Sequence, residues 1–199
     1  GEGGGHGGWR GGVGARPKQE TCGSRSCSRR ITTREERRKA VASEVVRAEE
    51  KRRKQHQRAA ALTVDTRTSP FSPAFYSQAA STRLDLPSND TTVLLEAALP
   101  LVERIFRPHR QLAKAGVLMQ HLQGTELLQS HLLVPLSETQ QQRREGLMRT
   151  IDQLNRRYGR GTVQWAACGL HPSWMMRRER LGRTATTRLS DVPVVHADR

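Results

Sequence analysis

The chain has 199 residues, of which 34 are lysine or arginine and 19 are aspartate or glutamate, giving a formal net charge of +15. A balance this basic favours a polyanionic partner, most often nucleic acid, and says little about the fold. Hydrophobic residues make up only 35% of the chain and aromatic residues 4%, which is thin for a core that would include every residue. No long apolar run or apolar N-terminal stretch is present, so we expect a cytoplasmic protein that makes no membrane contact.

The N-terminal residues 1–17 are dominated by glycine and have almost nothing to bury, so we predict a disordered leader. An extended segment follows over residues 18–30. Thr32 or Thr33 can then cap a helix that runs to about Gln57, with acidic residues in its first turn. The apolar stripe of this helix is meagre, comprising Ala40, Val41, Val45 and Ala48.

Residues 59–68 alternate in the manner of a half-buried strand. Leu62, Val64 and Thr66 would point to one side and Thr63, Asp65 and Arg67 to the other. A second strand is predicted over residues 82–87, and a third over residues 110–122 with Gly116 at a bulge. Between them, a helix with apolar residues at helical spacing begins at one of three capping residues, Ser88, Asn89 or Asp90.

This order of elements predicts an α+β fold, in which two helices cover one face of a four-stranded sheet and leave the other face free. We predict that this first module spans residues 18–122 and that a linker spans residues 123–139. A small α+β C-terminal module would span residues 140–199, with a helix over 140–157, a strand over 161–170, and Trp165 and Trp174 in its core.

No catalytic constellation can be assembled from the sequence. The histidines are scattered without metal-binding spacing, no serine lies in a nucleophile elbow, and no carboxylates cluster at strand ends in the way that holds two metal ions. The residues therefore predict neither a cofactor nor a metal site, and they leave binding as the better-supported class of function.

Several stretches resemble one family, namely "RTSPFSPAFYSQAA", "RPHRQLAKAGVLM" and "RRYGRGTVQWAACGL". They are similar to the C-terminal portion of UmuC proteins, the polymerase subunits of the SOS-induced, Y-family lesion-bypass DNA polymerase V. The resemblance covers residues 19–195. It implies that the first module is a little finger, the DNA-binding domain of Y-family polymerases, and that the second is the short domain at the C-terminus of UmuC proteins.

The resemblance also implies which residues contact DNA. In the family, the free face of the little-finger sheet grips the primer–template backbone without reading bases. Carried over to this chain, the expected phosphate contacts are Ser24, Arg25, Ser26, Arg67, Thr68, Ser69 and Lys114.

Further partners follow from the same resemblance. UmuC proteins carry a glutamine-led pentapeptide in the linker that docks on the sliding clamp, and here Gln129, Leu132 and Leu133 occupy that segment. The processed UmuD dimer and the RecA filament are the other partners that the family implies.

Departures from the family pattern matter as well. The palm and fingers, which bind magnesium and the incoming nucleotide, would precede residue 19. The resemblance therefore implies a truncated subunit that is catalytically inactive alone, or one that joins separately encoded palm and fingers. Arg37 and Arg52 stand where leucines are usual and Asp65 interrupts a strand, which implies a less stable first helix and strand. A generic basic RNA-binding or ribosome-associated protein remains the alternative.

Overall fold

The structure, which is a computed structural model, describes residues 20–124 and 138–170. For residues 20–26, 28, 29 and 138 it describes the backbone only. The predicted leader, the linker segment with Gln129, Leu132 and Leu133, and Trp174 lie outside these ranges.

The elements follow the predicted order of strand, helix, strand, strand, helix, strand, so the predicted α+β arrangement is confirmed. The described elements are β1 (Glu20–Ile31), α1 (Arg34–Arg53), β2 (Gln57–Arg67), β3 (Ser77–Ser88), α2 (Thr91–Arg104), β4 (Leu112–Gln120), β5 (Gln123–Gly124), α3 (Glu138–Tyr158) and a 3-10 turn (Ala166–Cys168).

The sheet is antiparallel, with the four long strands in the order β1-β4-β2-β3, and β5 pairs with the start of β2. Helices α1 and α2 pack against each other and against one face of the sheet. The core lies between these layers and includes Leu62 and Val64 of β2, Val117 of β4, Val41 of α1 and Leu94 of α2. The opposite face of the sheet carries neither of these helices.

Side-chain caps fix the beginnings of both helices. The Thr33 hydroxyl accepts a hydrogen bond from the backbone N–H of Glu36 (3.2 Å), and the Asp90 carboxylate accepts one from Thr92 (2.8 Å). Helix α1 ends at Arg53 and not at Gln57, because His56 takes a positive φ of 51° that a helix does not allow.

The sequence predicted a bulge at Gly116, and this prediction was wrong. The register of Gly116 with both neighbouring strands is continuous, and the irregularities fall in β1 between Ser26 and Ile31 and in β2 between Ala59 and Ala61. Gly116 leaves room for the Asp65 carboxylate on the next strand, which would have to move if a Cβ were present at this position.

The C-terminal segment differs from its prediction. Residues 161–170 form no strand: a turn at Gly159–Thr162 leads to the 3-10 turn, and the Asn155 side chain bonds both the N–H (2.9 Å) and the carbonyl (3.0 Å) of Val163. These bonds satisfy locally the backbone groups that a sheet partner would otherwise take. Trp165 is half-buried against the core of the sheet and helices.

Helix α3 is attached to the first module by ion pairs. Arg53 forms two bonds to Asp152 (2.7 and 2.8 Å), and Arg58 donates to Glu145 (2.7 Å). Met148 of α3 is buried with 3% of its surface exposed. The division into two modules at residues 123–139 stays a prediction, and the described residues show that the two parts contact each other.

Candidate nucleic-acid interface

The free face of the sheet is built by the side-chain alternation that the sequence predicted for β2. Leu62, Val64 and Thr66 are buried beneath the helices. On the other face, Asp65 and Arg67 are partly exposed, since successive side chains of a strand point to opposite faces. We call this second surface the open face; its side chains come from alternate residues of β2, β3 and β4, among them Thr63, Asp65, Arg67, Ser77, Ser81, Arg83, Lys114, Leu118 and Gln120.

Four strands align one row of residues at the end of the open face. Arg67 of β2 pairs directly with Lys114 of β4 on one side and with Ser77 of β3 on the other, and Lys114 pairs in turn with Ser26 of β1. We call Ser26, Lys114, Arg67 and Ser77 the basic row. The register therefore brings together predicted residues from three distant segments of the chain, and it adds Ser77, which the sequence did not single out.

The two cations of the basic row have no neutralising partner in the described part of the chain. Neither Arg67 nor Lys114 forms a hydrogen bond or an ion pair with any residue that the structure describes. Two like charges at directly opposed positions of an antiparallel pair destabilise a sheet, and a bound anion would relieve their repulsion. The arrangement is suited to phosphate oxygens lying across the sheet.

The predicted triad of β1 is divided by the register of the sheet. Ser24 and Ser26 pair with Gly116 and Lys114, which belong to the open face. Arg25 pairs with Ala115, which is 3% exposed and lies on the helix-covered face. A phosphate contact by Arg25 stays a prediction, and its register position does not support one on the open face.

Thr68 and Ser69 have structural roles in the loop between β2 and β3. The N–H of Thr68 donates to the Tyr76 carbonyl (2.9 Å), and its hydroxyl accepts from the N–H of Tyr76 (2.9 Å), closing the base of the loop. Thr68 is 4% exposed, so we leave it out of the proposed phosphate contacts. The Ser69 hydroxyl accepts from the N–H of Phe71 (3.3 Å) and is partly exposed.

The middle of the open face is polar and nearly neutral. The Thr63 hydroxyl shares a hydrogen bond with Ser81 (2.8 Å) and donates to Gln120 (2.9 Å). Asp65, which the sequence placed among departures from the expected core, lies partly exposed on the open face above Gly116. The positive charge is therefore concentrated at the basic row and at Arg83.

Sequence reasoning missed two exposed aromatic residues beside the basic row. Phe71 is 95% exposed and Phe75 is 57% exposed, both in the loop from Thr68 to Tyr76. Tyr76 is fixed instead, because its hydroxyl donates to the Ile105 carbonyl (3.0 Å) and Arg110 stacks over its ring at 5.5 Å. The two prolines that flank Phe71 were the available signal, since they exclude it from a strand.

The described residues contain no group of three or more His, Cys, Asp or Glu side chains that could hold a metal ion. Burial, reinforced by Glu44 and Glu36, raises the pKa of the Cys27 thiol to about 11, so this cysteine is a poor nucleophile. None of the described helices is long and apolar enough to cross a membrane.

Two family models match separate parts of the chain. Residues 18–132 match the impB/mucB/samB family C-terminal domain, and residues 145–195 match the Domain of unknown function (DUF4113). Among solved structures, the chain is similar to Dbh DNA polymerase in its insertion ternary complex, with a TM-score of 0.39 and 11% identity over 52% of this chain and 29% of the other.

Three relatives from Salmonella typhimurium match nearly the whole chain. Protein SamB is 36% identical and Protein ImpB 35% identical, each over 89% of this chain and 42% of the relative, and Protein UmuC of strain LT2 is 34% identical over 88% and 42%. The chain thus spans about 42% of the length of these relatives. The model of the impB/mucB/samB family C-terminal domain covers more than half of the residues, and the chain therefore belongs to the impB/mucB/samB family.

Proposed function

We propose that the open face binds the sugar-phosphate backbone of primer–template DNA, and that the chain serves as the DNA-holding part of a Y-family translesion polymerase subunit that acts in DNA repair and the SOS response. The observation that carries this proposal is the pair of cations Arg67 and Lys114, which lie at directly opposed positions of the sheet and have no partner among the residues described. The Ser77 hydroxyl extends the row as a further phosphate donor, and Ser26 takes the register position beside Lys114 on β1.

Affinity should depend on charge and hardly on sequence. The basic row offers guanidinium, ammonium and hydroxyl donors, which recognise phosphate oxygens, and it lies on a sheet face and not on an element shaped to enter a groove. The overall charge of +15 would add long-range attraction that weakens in salt.

The test is the salt dependence of binding to blunt duplex DNA by fluorescence anisotropy. Each neutralised phosphate contributes about −0.9 to the slope of log K against log salt concentration. We expect the double variant Arg67→Ala/Lys114→Ala to make the slope shallower by about 2 units, with the same result for two duplexes of unrelated sequence.

The matched control is Arg143→Ala/Arg149→Ala, which removes the same charge from exposed positions of α3. It should leave the slope nearly unchanged if the contacts are local to the open face. DNA binding that does not weaken as the salt concentration rises would contradict the proposal. An equal change of slope in both double variants would contradict it as well. Stronger binding to structured RNA than to primer–template DNA would favour the RNA-binding alternative instead.

The predicted clamp-binding segment of the linker supports a second, separate proposal. Gln129, Leu132 and Leu133 keep the glutamine and apolar residues of a short clamp-binding motif. The variant Leu132→Ala/Leu133→Ala should lose binding to an immobilised sliding clamp while its DNA affinity stays unchanged. Contacts with the processed UmuD dimer and RecA filament, and a cytoplasmic, nucleoid-associated location, follow from the family resemblance alone and are proposed on that basis.

A further inference from the structure

The loop that joins β2 to β3 holds two exposed phenylalanines on a well-defined backbone. Besides the Thr68–Tyr76 bonds at its base, the N–H of Ser72 donates to the Ser69 carbonyl (3.0 Å), and the Arg110 guanidinium donates to the Ala74 carbonyl (3.5 Å). The exposure of Phe71 is therefore a property of a hydrogen-bonded loop. Two large apolar side chains exposed in one short loop are candidates for an interaction surface.

The position of this loop relates it to the basic row. Arg67 and Ser77, the last residues of the row, are also the residues at which β2 ends and β3 begins. Because Tyr76 packs against the core and side chains alternate along an extended chain, Phe75 lies on the open-face side, two residues before Ser77.

A basic segment that follows α2 contacts the loop from the side of that helix. The segment after α2 meets the loop through Tyr76 and Arg110, and it carries Arg107 and His109, both exposed. Aromatic faces flanked by cations form the combination that binds single-stranded nucleic acid, in which bases stack and phosphates pair. A protein partner of the same loop would have to be acidic and to bury both rings.

We infer that Phe71 and Phe75 form a stacking platform for unpaired bases of single-stranded DNA that continues beyond the duplex held on the open face. This inference rests on the proposed function, since the basic row fixes where the backbone runs. Stacking on an aromatic ring tolerates any base, so the platform would not add sequence preference.

The test uses the full chain and four probes: oligo(dT), an abasic oligonucleotide of equal length, a blunt duplex, and an oligonucleotide with 2-aminopurine at one position. We expect Phe71→Ala/Phe75→Ala to weaken oligo(dT) binding roughly tenfold or more, because stacking contributes substantially per base. Binding of the abasic oligonucleotide and of the blunt duplex should change less than twofold, since neither offers unpaired bases. Quenching of 2-aminopurine emission by the wild-type chain should disappear in the double variant.

Two further variants keep the result unambiguous. Tyr158→Ala removes an aromatic side chain that is 63% exposed on α3, and it should leave oligo(dT) affinity unchanged. Phe71→Trp should retain oligo(dT) affinity, and its indole emission should be quenched by oligo(dT) and not by the abasic oligonucleotide.

The outcomes separate this inference from the proposed function. In one outcome, Arg67→Ala/Lys114→Ala weakens duplex binding, but Phe71→Ala/Phe75→Ala weakens the binding of the abasic and oligo(dT) probes equally or not at all. This result would contradict the stacking platform and leave the backbone interface standing. If the wild-type chain shows no salt-dependent duplex binding but its oligo(dT) binding still requires both phenylalanines, the proposed function fails. The two phenylalanines then bind unpaired bases, and the part of the inference that joins the platform to a bound duplex is overturned. Capture of an acidic protein that depends on both phenylalanines, without any effect on oligo(dT), would overturn the inference in favour of a protein partner.

Discussion

Helices α1 and α2 lie side by side on the same face of the sheet, yet they bury different kinds of side chain. The buried residues of α2 are Thr91, Leu94, Leu95, Ala98, Leu101 and Val102, of which only the threonine is polar. Those of α1 are Ala40, Val41, Ala42, Val45 and Ala48 together with the charged residues Arg37, Glu44, Glu49 and Arg52.

The charged residues of α1 are incompletely satisfied. Arg52 and Glu49 form an ion pair and are both 0% exposed, but Nε and Nη1 of Arg52 and Oε2 of Glu49 have no hydrogen-bond partner within residues 20–124 and 138–170. Arg37 is 2% exposed, and its guanidinium lies over the Phe106 ring at 4.5 Å and donates to the Arg110 carbonyl. Burying such groups can cost more than their pairing returns, so we expect α2 to contribute more than α1 to the stability of the helix layer.

The largest effect is expected from breaking the buried pair of α1. Arg52→Leu leaves Glu49 buried without its countercharge, so we expect a loss of about 3–5 kcal/mol in the free energy of unfolding at pH 8. The double variant Glu49→Leu/Arg52→Leu removes both charges and should be as stable as the wild type or more stable by about 1–4 kcal/mol. Urea unfolding measures both.

A double variant less stable than the wild type would show that the pair stabilises α1. The comparison of the two helices would then lose its basis.

Truncation of α2 should cost nearly as much, for a different reason. Leu101→Ala removes apolar contacts at a residue that is 3% exposed, so we expect a loss of about 2–5 kcal/mol. No charge is involved, and the loss should be equal at pH 5 and pH 8. Leu147→Ala on α3, where the side chain is 53% exposed, is the control and should change stability by less than about 0.5 kcal/mol. A loss that varied with pH would argue against a purely apolar α2.

The pH dependence of stability should also separate the helices. Burial, opposed in part by Arg52 and Arg53, raises the pKa of Glu49 from 4.5 to about 7. Between these values the unfolded chain has lost the proton that the folded chain retains, so the contribution of Glu49 falls as pH rises from 4.5 to 7. The expected change is on the order of 3 kcal/mol.

Glu49→Gln removes this titration. The difference in unfolding free energy between wild type and variant, measured from pH 4 to pH 8, should therefore decline over that window. A difference that was flat or rose with pH would contradict the assignment.

The smallest effect is expected at the caps, where the two helices are alike. Thr33→Ala and Asp90→Ala each leave one backbone N–H without its side-chain acceptor, so each should cost about 1 kcal/mol. Asp90→Asn keeps an acceptor and should cost less than Asp90→Ala. Thermal unfolding would measure these shifts, and a loss several times larger at Asp90 would point to its neighbour Arg144 (3.9 Å) and not to the cap.

Much of the fold could be predicted because its signals are local. The alternation of β2, the caps at Thr33 and Asp90 and the apolar spacing of α2 each depend on residues within a few positions of one another. The prediction of a strand over residues 161–170 was wrong. The same residue pattern also suits an irregular segment, and here the Asn155 side chain bonds the N–H and the carbonyl of Val163 in place of a neighbouring strand. Whether a strand forms depends on a partner strand, which no local pattern reports.

The sequence by itself determined the element order, the free face of the sheet and the excess of positive charge, because periodicity and composition are properties of the chain alone. Only the tertiary structure decided that Arg67, Lys114, Ser26 and Ser77 share one row, since strand register depends on pairing between distant segments. It likewise decided that Thr68 closes a loop and that Phe71 and Phe75 extend from it into solvent. Exposure and partnership are set by what the folded chain brings near a residue, and a sequence contains that information only through the fold.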